Sequence, residues 1–300
     1  MAVYKRNYKR LEGQLTDHLW RFTILPRYSL QTVFESKMVT AFFTFCFLPH
    51  LIALILIYLK YNVGALGALN LGFLQYLNID GKFFLSLFTA QTYLSFFLVT
   101  FVGPGLVAPD LANNALPLYL SRPFSKTEYI VGKLSVLLIL TSLITWVPGL
   151  LLVAVQTNQA GLSWAWDNLR ITAGIIAGSW TWIVTISLVA LALSAWVRMR
   201  PAAMFSLLGI FFIAGSFGLV ANTILNLDPA VGVVIDLRAT MRTLWSWLLT
   251  GENSYGLTFE RGRLIDSHVP AWISLVVLLF FCVVSLSLLV KKIRASEVVR

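Results

Sequence analysis

Long apolar stretches separated by short polar segments dominate this sequence of 300 residues. A helix that crosses a bilayer needs about 20 consecutive, mostly apolar residues. Six stretches meet that condition: residues 39–59, 83–107, 129–155, 171–197, 202–225 and 269–290. Because lipid offers no hydrogen-bond partner to an open backbone, each stretch is predicted to be helical. The expected fold class is therefore an all-α integral membrane protein with six transmembrane helices.

Composition supports this class. Hydrophobic residues make up 58 % of the chain and charged residues 12 %, and the mean hydropathy is +0.79. Soluble domains carry about a quarter charged residues, so a soluble fold is excluded. The net charge of +10 is interpreted as basic loops on the cytoplasmic side of a membrane, where Lys and Arg concentrate. Membrane lipid is an expected partner, and nucleic acid is not.

Residues 1–38 are predicted to form a cytoplasmic amphipathic arm. Leu30, Val33 and Phe34 recur at helical spacing among basic residues, a pattern typical of a helix that lies on a membrane surface. Pro26 is expected to break or restart this helix. The basic region is much longer than that of a secretory signal peptide, so the arm is expected to stay attached.

The basic residues also predict the topology. With the N-terminus inside, the cytoplasmic segments hold 16 Lys and Arg residues and the outer loops hold 7. Because Lys and Arg favour the cytoplasmic side, both termini are expected in the cytoplasm, in a multi-pass protein of the inner membrane. Residues 39–290 would be the six-helix transmembrane domain, and residues 291–300 a cytoplasmic tail.

The outer loop 226–268 is the longest, and one amphipathic helix is predicted in it. Asp228 is a candidate N-cap, Pro229 suits a first helical turn and Gly251 suits a helix end. Apolar residues lie on one face of this stretch and two arginines on another. The helix is expected to lie at the outer leaflet or to dip into it, before the last span.

Two spans contain pairs of small residues. Gly174 and Gly178 in the fourth stretch, and Ala214 and Gly218 in the fifth, have the small-xxx-small spacing. This spacing permits close approach of helices in membranes. Packing within the chain is the favoured use, and a dimer face is the alternative.

The segment 110–133 is polar and rich in turn residues. Asp110 is expected to cap a short helix, and the prolines at positions 117 and 123 exclude one continuous helix. Ser125 and Glu128 have the spacing of a capping box, which would start the third membrane helix sharply. Two interpretations follow from these residues: an element at the inner membrane face that binds a protein partner or the headgroup region, or an ordinary loop that reconnects two spans.

The sequence NNALPLYLSRPFSKTEYIVGK, residues 113–133, resembles the cytoplasmic loop between the second and third membrane helices of ABC-type transporter permeases of the type-2 (exporter) family. That loop reads close to N-x-L-P-L-Y-L-S-R-P, then a hydrophobic residue, S/T-R/K-x-E-Y, a hydrophobic residue, and x-G-K. The six spans, the basic arm and the tail extend the resemblance over nearly the whole chain, although only this loop is a sharp signal. The matching residues are Asn114, Leu116, Pro117, Tyr119, Leu120, Ser121, Arg122, Pro123, Ser125, Lys126, Glu128, Tyr129, Gly132 and Lys133.

The resemblance implies a permease subunit of an ATP-driven exporter that forms a homodimer or heterodimer with a second permease. Separate ATP-binding-cassette ATPase subunits on the cytoplasmic side would bind ATP and Mg, so no catalytic residue, cofactor or metal is expected in this chain. The absence of a G-x-x-x-x-G-K-[ST] phosphate loop from the sequence agrees with that division. The residues expected to couple to the ATPase are Asn114, Leu116, Pro117, Tyr119, Leu120, Ser121, Arg122, Pro123, Lys126, Glu128 and Tyr129.

Other functions are weighed against this expectation. A membrane scaffold or assembly protein that binds a cytoplasmic partner is the alternative. A secondary transporter or channel is disfavoured, because ion-coupled transport usually relies on charges inside the membrane and His50 is the only His, Asp, Glu, Lys or Arg residue well inside a span. An enzyme is not expected, since the sequence lacks HExxH and GxSxG motifs. The substrate is not identified by the sequence.

Overall fold

The computed structural model describes residues 23–62, 76–113, 115, 125–197, 199–225, 234–252, 255–260 and 263–298. Six helical stretches are long and apolar enough to cross a membrane, which confirms the prediction of a multi-pass helical membrane protein. These first to sixth spans are Lys37–Tyr61, Gly81–Ala112, Lys126–Ala160, Leu169–Trp196, Arg200–Gly218 and Ala271–Ile293. Because successive spans run in opposite directions, the bundle has two ends, named here the Gly81 end and the Asp110 end after the second span.

The secondary structure is almost entirely helical. A π-helical turn, Gly209–Ile213, joins α10 to α11. The described helices are α1 (Ile24–Glu35), α2 (Lys37–Phe45), α3 (Leu48–Tyr61), α4 (Gly81–Val102), α5 (Pro104–Ala112), α6 (Lys126–Ile144), α7 (Trp146–Ala160), α8 (Leu162–Asp167), α9 (Leu169–Trp196), α10 (Arg200–Leu208), α11 (Ala214–Leu225), α12 (Leu237–Thr250) and α13 (Ala271–Val298).

A two-stranded antiparallel ribbon precedes the sixth span, and the sequence pattern did not predict it. Its strands are β1 (Tyr255–Glu260) and β2 (Arg263–His268), paired from Tyr255 opposite His268 to Glu260 opposite Arg263. Apolar and polar residues alternate along β1, which is the period of a strand. Only two residues connect the strands, the shortest common hairpin connection. The long loop 226–268 therefore contains both a helix and a hairpin.

Three spans are interrupted near a proline. Pro49, Pro104 and Pro148 lie in the first turns of α3, α5 and α7, the second helices of the first, second and third spans. A proline has no N–H for the carbonyl four residues earlier, and its ring collides with that carbonyl. The first turn of a helix tolerates proline, so each span ends one helix and starts another.

Gln91 of the second span links the interruptions of its two neighbours. Its side-chain amide donates to the carbonyl of Ile144 at 2.6 Å and to that of Cys46 at 3.4 Å. Ile144 lies four residues before Pro148, so its carbonyl is the one that the proline leaves without a helical partner. Gln91 is buried. Because a buried carbonyl without a partner raises the free energy of the fold, Gln91 stabilises two helix interruptions at once.

Replacing Gln91 with Leu is expected to destabilise the protein by about 1–3 kcal/mol, because two buried carbonyls lose their donor. The measurement is the free energy of unfolding in mixed detergent micelles. Gln156→Leu is the matched control, since Gln156 is equally buried but donates to the hydroxyl of Tyr61. Equal losses of stability in the two variants would show that the hydrogen bonds from Gln91 to these carbonyls contribute no more than the hydrogen bond from Gln156.

The fourth span lies at the centre of the bundle. Its helix, α9, packs against the second, third and sixth spans and against α12. The most apolar part of the fourth span is 72 % buried, whereas the corresponding parts of the first, fifth and sixth spans are 28 %, 28 % and 22 % buried. The first, fifth and sixth spans therefore leave wide apolar faces open to lipid or to another chain.

Candidate functional site

The structure describes only part of the predicted coupling segment. Lys126, Glu128 and Tyr129 lie in the first turns of α6. The other eight predicted residues lie outside the described residues: Asn114, Leu116, Pro117, Tyr119, Leu120, Ser121, Arg122 and Pro123. The described residues therefore include the two ends of the segment but little of its middle.

The capping box at the start of the third span is confirmed. The Ser125 side chain accepts from the backbone N–H of Glu128 at 3.2 Å, and the Glu128 carboxylate accepts from the N–H of Ser125 at 2.6 Å. Two N–H groups that the first helical turn leaves unpaired are thereby satisfied. The third span begins abruptly at Lys126, directly after the segment.

Asp110, close to the end of the second span, accepts from two side chains of the third span. The hydroxyl of Tyr129 donates to Asp110 Oδ2 at 2.8 Å, and Lys133 Nζ lies 2.9 Å from the same oxygen. Tyr129 and Lys133 are four residues apart, so they share one face of α6. Tyr129 is buried, and the side chains of Lys133 and Asp110 are 9 % and 16 % exposed. These three residues are named the Asp110 anchor.

The prediction that Asp110 caps a helix is wrong. Asp110 lies inside α5, whose N-cap position is Gly103. An acidic residue at such a position resembles an N-cap in a local pattern. Its partner Tyr129, however, lies 19 residues away in the sequence, so a local pattern contains no sign of the contact.

The anchor brings together the two ends of the coupling segment. Residues 111–125 leave the second span next to Asp110 and enter the third span next to Tyr129 and Lys133. One ion pair and one hydrogen bond therefore hold the two spans together where the segment leaves one and enters the other. Since both contacts are largely shielded from water, they resist separation better than exposed ones do.

Helix α1 packs against α6 beside the anchor. It accounts for the described part of the predicted arm, and residues 1–22 lie outside the described residues. The helix begins at Ile24 with Pro26 in its first turn; the predicted break or restart at Pro26 stays a prediction, because residues 1–22 lie outside the described ones. Leu30 and Val33 are half-buried against the core, whereas Arg27 is exposed. The arm thus keeps a basic side away from the bundle.

The predicted outer amphipathic helix is present as α12, but it is buried in the bundle. It packs against the second, fourth and sixth spans. It ends at Gly251, as predicted, in the left-handed conformation with φ 85°. The cap is Asp236, whose side chain accepts from the N–H of Arg238 at 2.9 Å. The predicted start at Asp228 and Pro229 lies outside the described residues.

Trp245 fixes α12 against the second and fourth spans. Its indole stacks on Phe88 at 4.8 Å, and its Nε1 donates to the Thr92 hydroxyl at 3.2 Å. A Cβ at Gly178 would overlap the Trp245 ring, and one at Gly174 would meet the carbonyl of Leu248. The expectation that this glycine pair serves packing within the chain is therefore confirmed.

Arg170 caps the C-terminal end of α12. Its guanidinium donates to the carbonyls of Trp247 and Leu248 and lies 5.5 Å from the centre of the Trp247 ring. The last carbonyls of a helix have no partner within the helix, and a cation is favoured there by the helix dipole. Arg170, at the start of the fourth span, thereby holds α12 at the Gly81 end of the bundle.

A largely buried ion pair lies at the first turn of α12. Asp236 Oδ2 and Arg238 Nη2 are 3.0 Å apart, with side chains 16 % and 23 % exposed. The Arg238 guanidinium lies 5.8 Å from the centre of the Phe211 ring, and Phe211 stacks at 3.7 Å on Phe96. Phe96 is halfway along the second span. The pair is therefore located about halfway through the bundle.

This ion pair within the bundle was not predicted from the sequence. Asp236 and Arg238 were assigned to an outer loop, because charges are unfavourable in lipid. Pairing lowers that cost, and residues two apart at a helix start can pair through the cap. The available signal was an acidic cap candidate followed by an arginine before an apolar run.

The described residues contain no candidate metal site. His50 is 4 % exposed and lies edge-on to Phe88, 6.2 Å from its centre. No group of three or more His, Cys, Asp or Glu side chains comes together within the part of the chain that the structure describes. The candidate site is therefore the Asp110 anchor with the segment that it closes.

Neither protein-family models nor curated proteins match this chain. A functional assignment therefore depends on the residues and contacts described above. The anchor and the segment 113–133 are the features with the most specific geometry and sequence.

Proposed function

We propose that the chain is the permease subunit of an ATP-driven type-2 ABC transporter, an exporter whose ATP is hydrolysed by a separate subunit. The observation that carries the proposal is the segment 113–133, which resembles the family's ATPase-facing loop and whose two ends meet at the Asp110 anchor. Six spans and a sequence without a phosphate loop are consistent with a membrane subunit that depends on another chain for ATP.

The mechanism that we propose is a pull transmitted through the anchor. ATP binding by the partner would displace residues 111–122, and the Asp110 anchor would transmit that displacement to the second and third spans together. The interruptions at Gly103 and Thr145 are positions where these spans can bend. Rearrangement of the first, second and fifth spans would then open a path between two permease subunits.

The orientation follows from charge. We assign the Asp110 end to the cytoplasm, with both termini there, because the Lys and Arg residues divide 16 to 7 in favour of that side. The open apolar faces of the first and fifth spans offer area for a second permease copy, identical or different, and lipid would cover the remainder. An uncharged apolar surface suits a hydrophobic or lipid-like cargo.

Capture of the protein from its native membrane tests the proposal. The chain is extracted in mild detergent, isolated through a tag and analysed for subunits and ATP hydrolysis. We expect a soluble subunit with a Walker motif in stoichiometric amount, and ATPase activity that co-elutes with the chain. An intact, dimeric chain that reproducibly lacks such a subunit would favour the membrane scaffold instead.

Variants of the segment should separate ATP hydrolysis from movement of the spans. We expect Tyr119→Ala, Arg122→Gln and Glu128→Gln to retain membrane insertion but to lose most of the ATP-dependent movement. Because Gln also completes a capping box, Glu128→Gln removes the charge and preserves the helix start. The movement is measured as the ATP-dependent change in thiol labelling of Tyr76→Cys, a position 85 % exposed.

Two control variants accompany this measurement. Ser125→Ala removes only the cap and should cost about 1 kcal/mol of stability without abolishing the labelling change. Lys60→Gln removes a basic residue at the Gly81 end of the bundle and should leave the change intact. If all three segment variants keep the full ATP-dependent change in labelling, the segment is excluded from the mechanism.

A further inference from the structure

A half-open cavity lies at the Asp110 end of the bundle, between α1 and the second span. Its volume is about 350 Å³, which falls in the range of small-molecule sites, about 300–1,000 Å³. Part of its wall is apolar, with Val39, Val102 and Leu106 as members. Tyr28 and Ser29 of α1 add hydroxyl groups. The cavity therefore offers both an apolar and a polar surface to one occupant.

The charged residues that line this cavity leave an excess of positive charge. They are Arg200, Lys133 and Asp110. Asp110 is paired with Lys133 at 2.9 Å, so the charge of Arg200 is the excess. Within the described residues Arg200 forms no ion pair. It donates one hydrogen bond, to the carbonyl of Phe101 at 3.1 Å.

Arg200 retains hydrogen-bonding capacity toward the cavity. A guanidinium has five N–H donors and no acceptor, and only one bond to protein is present in the described structure. Arginine is well suited to bind phosphate, because its planar guanidinium can donate two parallel N–H···O hydrogen bonds to it. The hydroxyls of Tyr28 and Ser29 can donate to further phosphate oxygens.

We propose that this cavity binds a phosphate group carried on an amphipathic molecule, namely the headgroup of an anionic phospholipid. The phosphate lies against Arg200 and the hydroxyls of α1, and the glycerol and first acyl carbons lie against the apolar wall. The position agrees with this occupant, because the ends of membrane spans lie at headgroup level. The site does not depend on the function proposed above, since an anionic lipid can bind a permease and a scaffold alike.

Native mass spectrometry of the delipidated, full-length protein tests the site. The probes are dioleoyl phosphatidylglycerol, dioleoylglycerol with the same chains but no phosphate, and inorganic phosphate as a competitor. We expect phosphatidylglycerol to bind at least about ten-fold more tightly than dioleoylglycerol, since charge-assisted hydrogen bonds to phosphate are strong. Inorganic phosphate at millimolar concentration should displace little of the lipid, because it gains nothing from the apolar wall.

Arg200→Gln should weaken phosphatidylglycerol binding about ten-fold, because the fork of donors is lost. Arg27→Gln is the matched control: Arg27 lies on α1 and is exposed, but it is outside the lining of the cavity. Its binding should change less than about two-fold, as expected for one screened surface charge. Ser29→Leu, which fills part of the polar wall at constant charge, should also weaken binding and covers the case in which Arg200→Gln does not fold.

Three results would overturn the proposal. Equal losses in Arg200→Gln and Arg27→Gln would indicate attraction to a basic surface without a site. Equal binding of dioleoylglycerol would indicate an apolar groove that ignores phosphate. Efficient displacement by inorganic phosphate, dependent on Arg200, would assign the site to the free anion.

Discussion

Replacing Lys133 with Met is expected to destabilise the protein by about 3 kcal/mol. The change leaves Asp110 in a largely buried position without its cation, and breaking a buried ion pair by removing one partner typically costs about 3–5 kcal/mol. The lower end of that range applies, because Asp110 keeps the hydrogen bond from Tyr129 and is 16 % exposed. The free energy of unfolding in mixed detergent micelles measures the loss.

A double variant and a control make this prediction specific. Asp110→Asn combined with Lys133→Met removes both charges and should recover most of the lost stability, which a double-mutant cycle quantifies. Lys82→Met breaks the ion pair between Lys82 and Glu252, which are 3.8 Å apart and have side chains 69 % and 56 % exposed. This variant should lose little stability, because exposed ion pairs contribute little. If Lys133→Met is as mild as Lys82→Met, the anchor is not a structural link between the spans.

Replacing Trp245 with Ala is expected to have an effect of similar size, about 3–5 kcal/mol. The substitution leaves a cavity between the second and fourth spans, ends the stacking on Phe88 and removes the donor to Thr92. Because helix association in a membrane depends on close packing, α12 should loosen from the bundle. Stability in mixed micelles and the proteolysis rate of the 226–268 loop both report this change.

Trp247 is the matched control on the same helix. It is 41 % exposed, whereas Trp245 is 2 % exposed, so Trp247→Ala should cost much less. Gly178→Val should disrupt the same contact from the fourth span, since the valine side chain would overlap the Trp245 ring. Similar losses in Trp245→Ala and Trp247→Ala would contradict the buried position of α12.

The two sets of contacts lie in different parts of the bundle. The Asp110 anchor and α1 lie at one end of the spans, where the proposed ATPase would act. Helix α12, with Arg170 at one end and the Asp236–Arg238 pair at the other, fills the half of the bundle toward Gly81. The second span contains Asp110 and also packs against α12, so it joins the two sets of contacts.

Features set by neighbouring residues were predictable from the sequence. The six spans follow from runs of about 20 apolar residues, which lipid forces into helices. The capping box of Ser125 and Glu128 and the helix end at Gly251 depend on contacts within four residues or on a single backbone conformation. The glycine spacing of the fourth span also predicted a close packing partner, but not which helix it is.

Features that join distant residues were decided only by the tertiary structure. Asp110 resembles a helix cap locally, but it accepts from Tyr129 and Lys133 because the second and third spans run side by side. Likewise, Asp236 and Arg238 read as loop charges, and they lie in the bundle because α12 brings them there already paired. Hydropathy and spacing determine which segments leave water and which become helices. Which buried polar groups meet depends on how the helices pack, because each such group needs a partner that the local sequence does not contain.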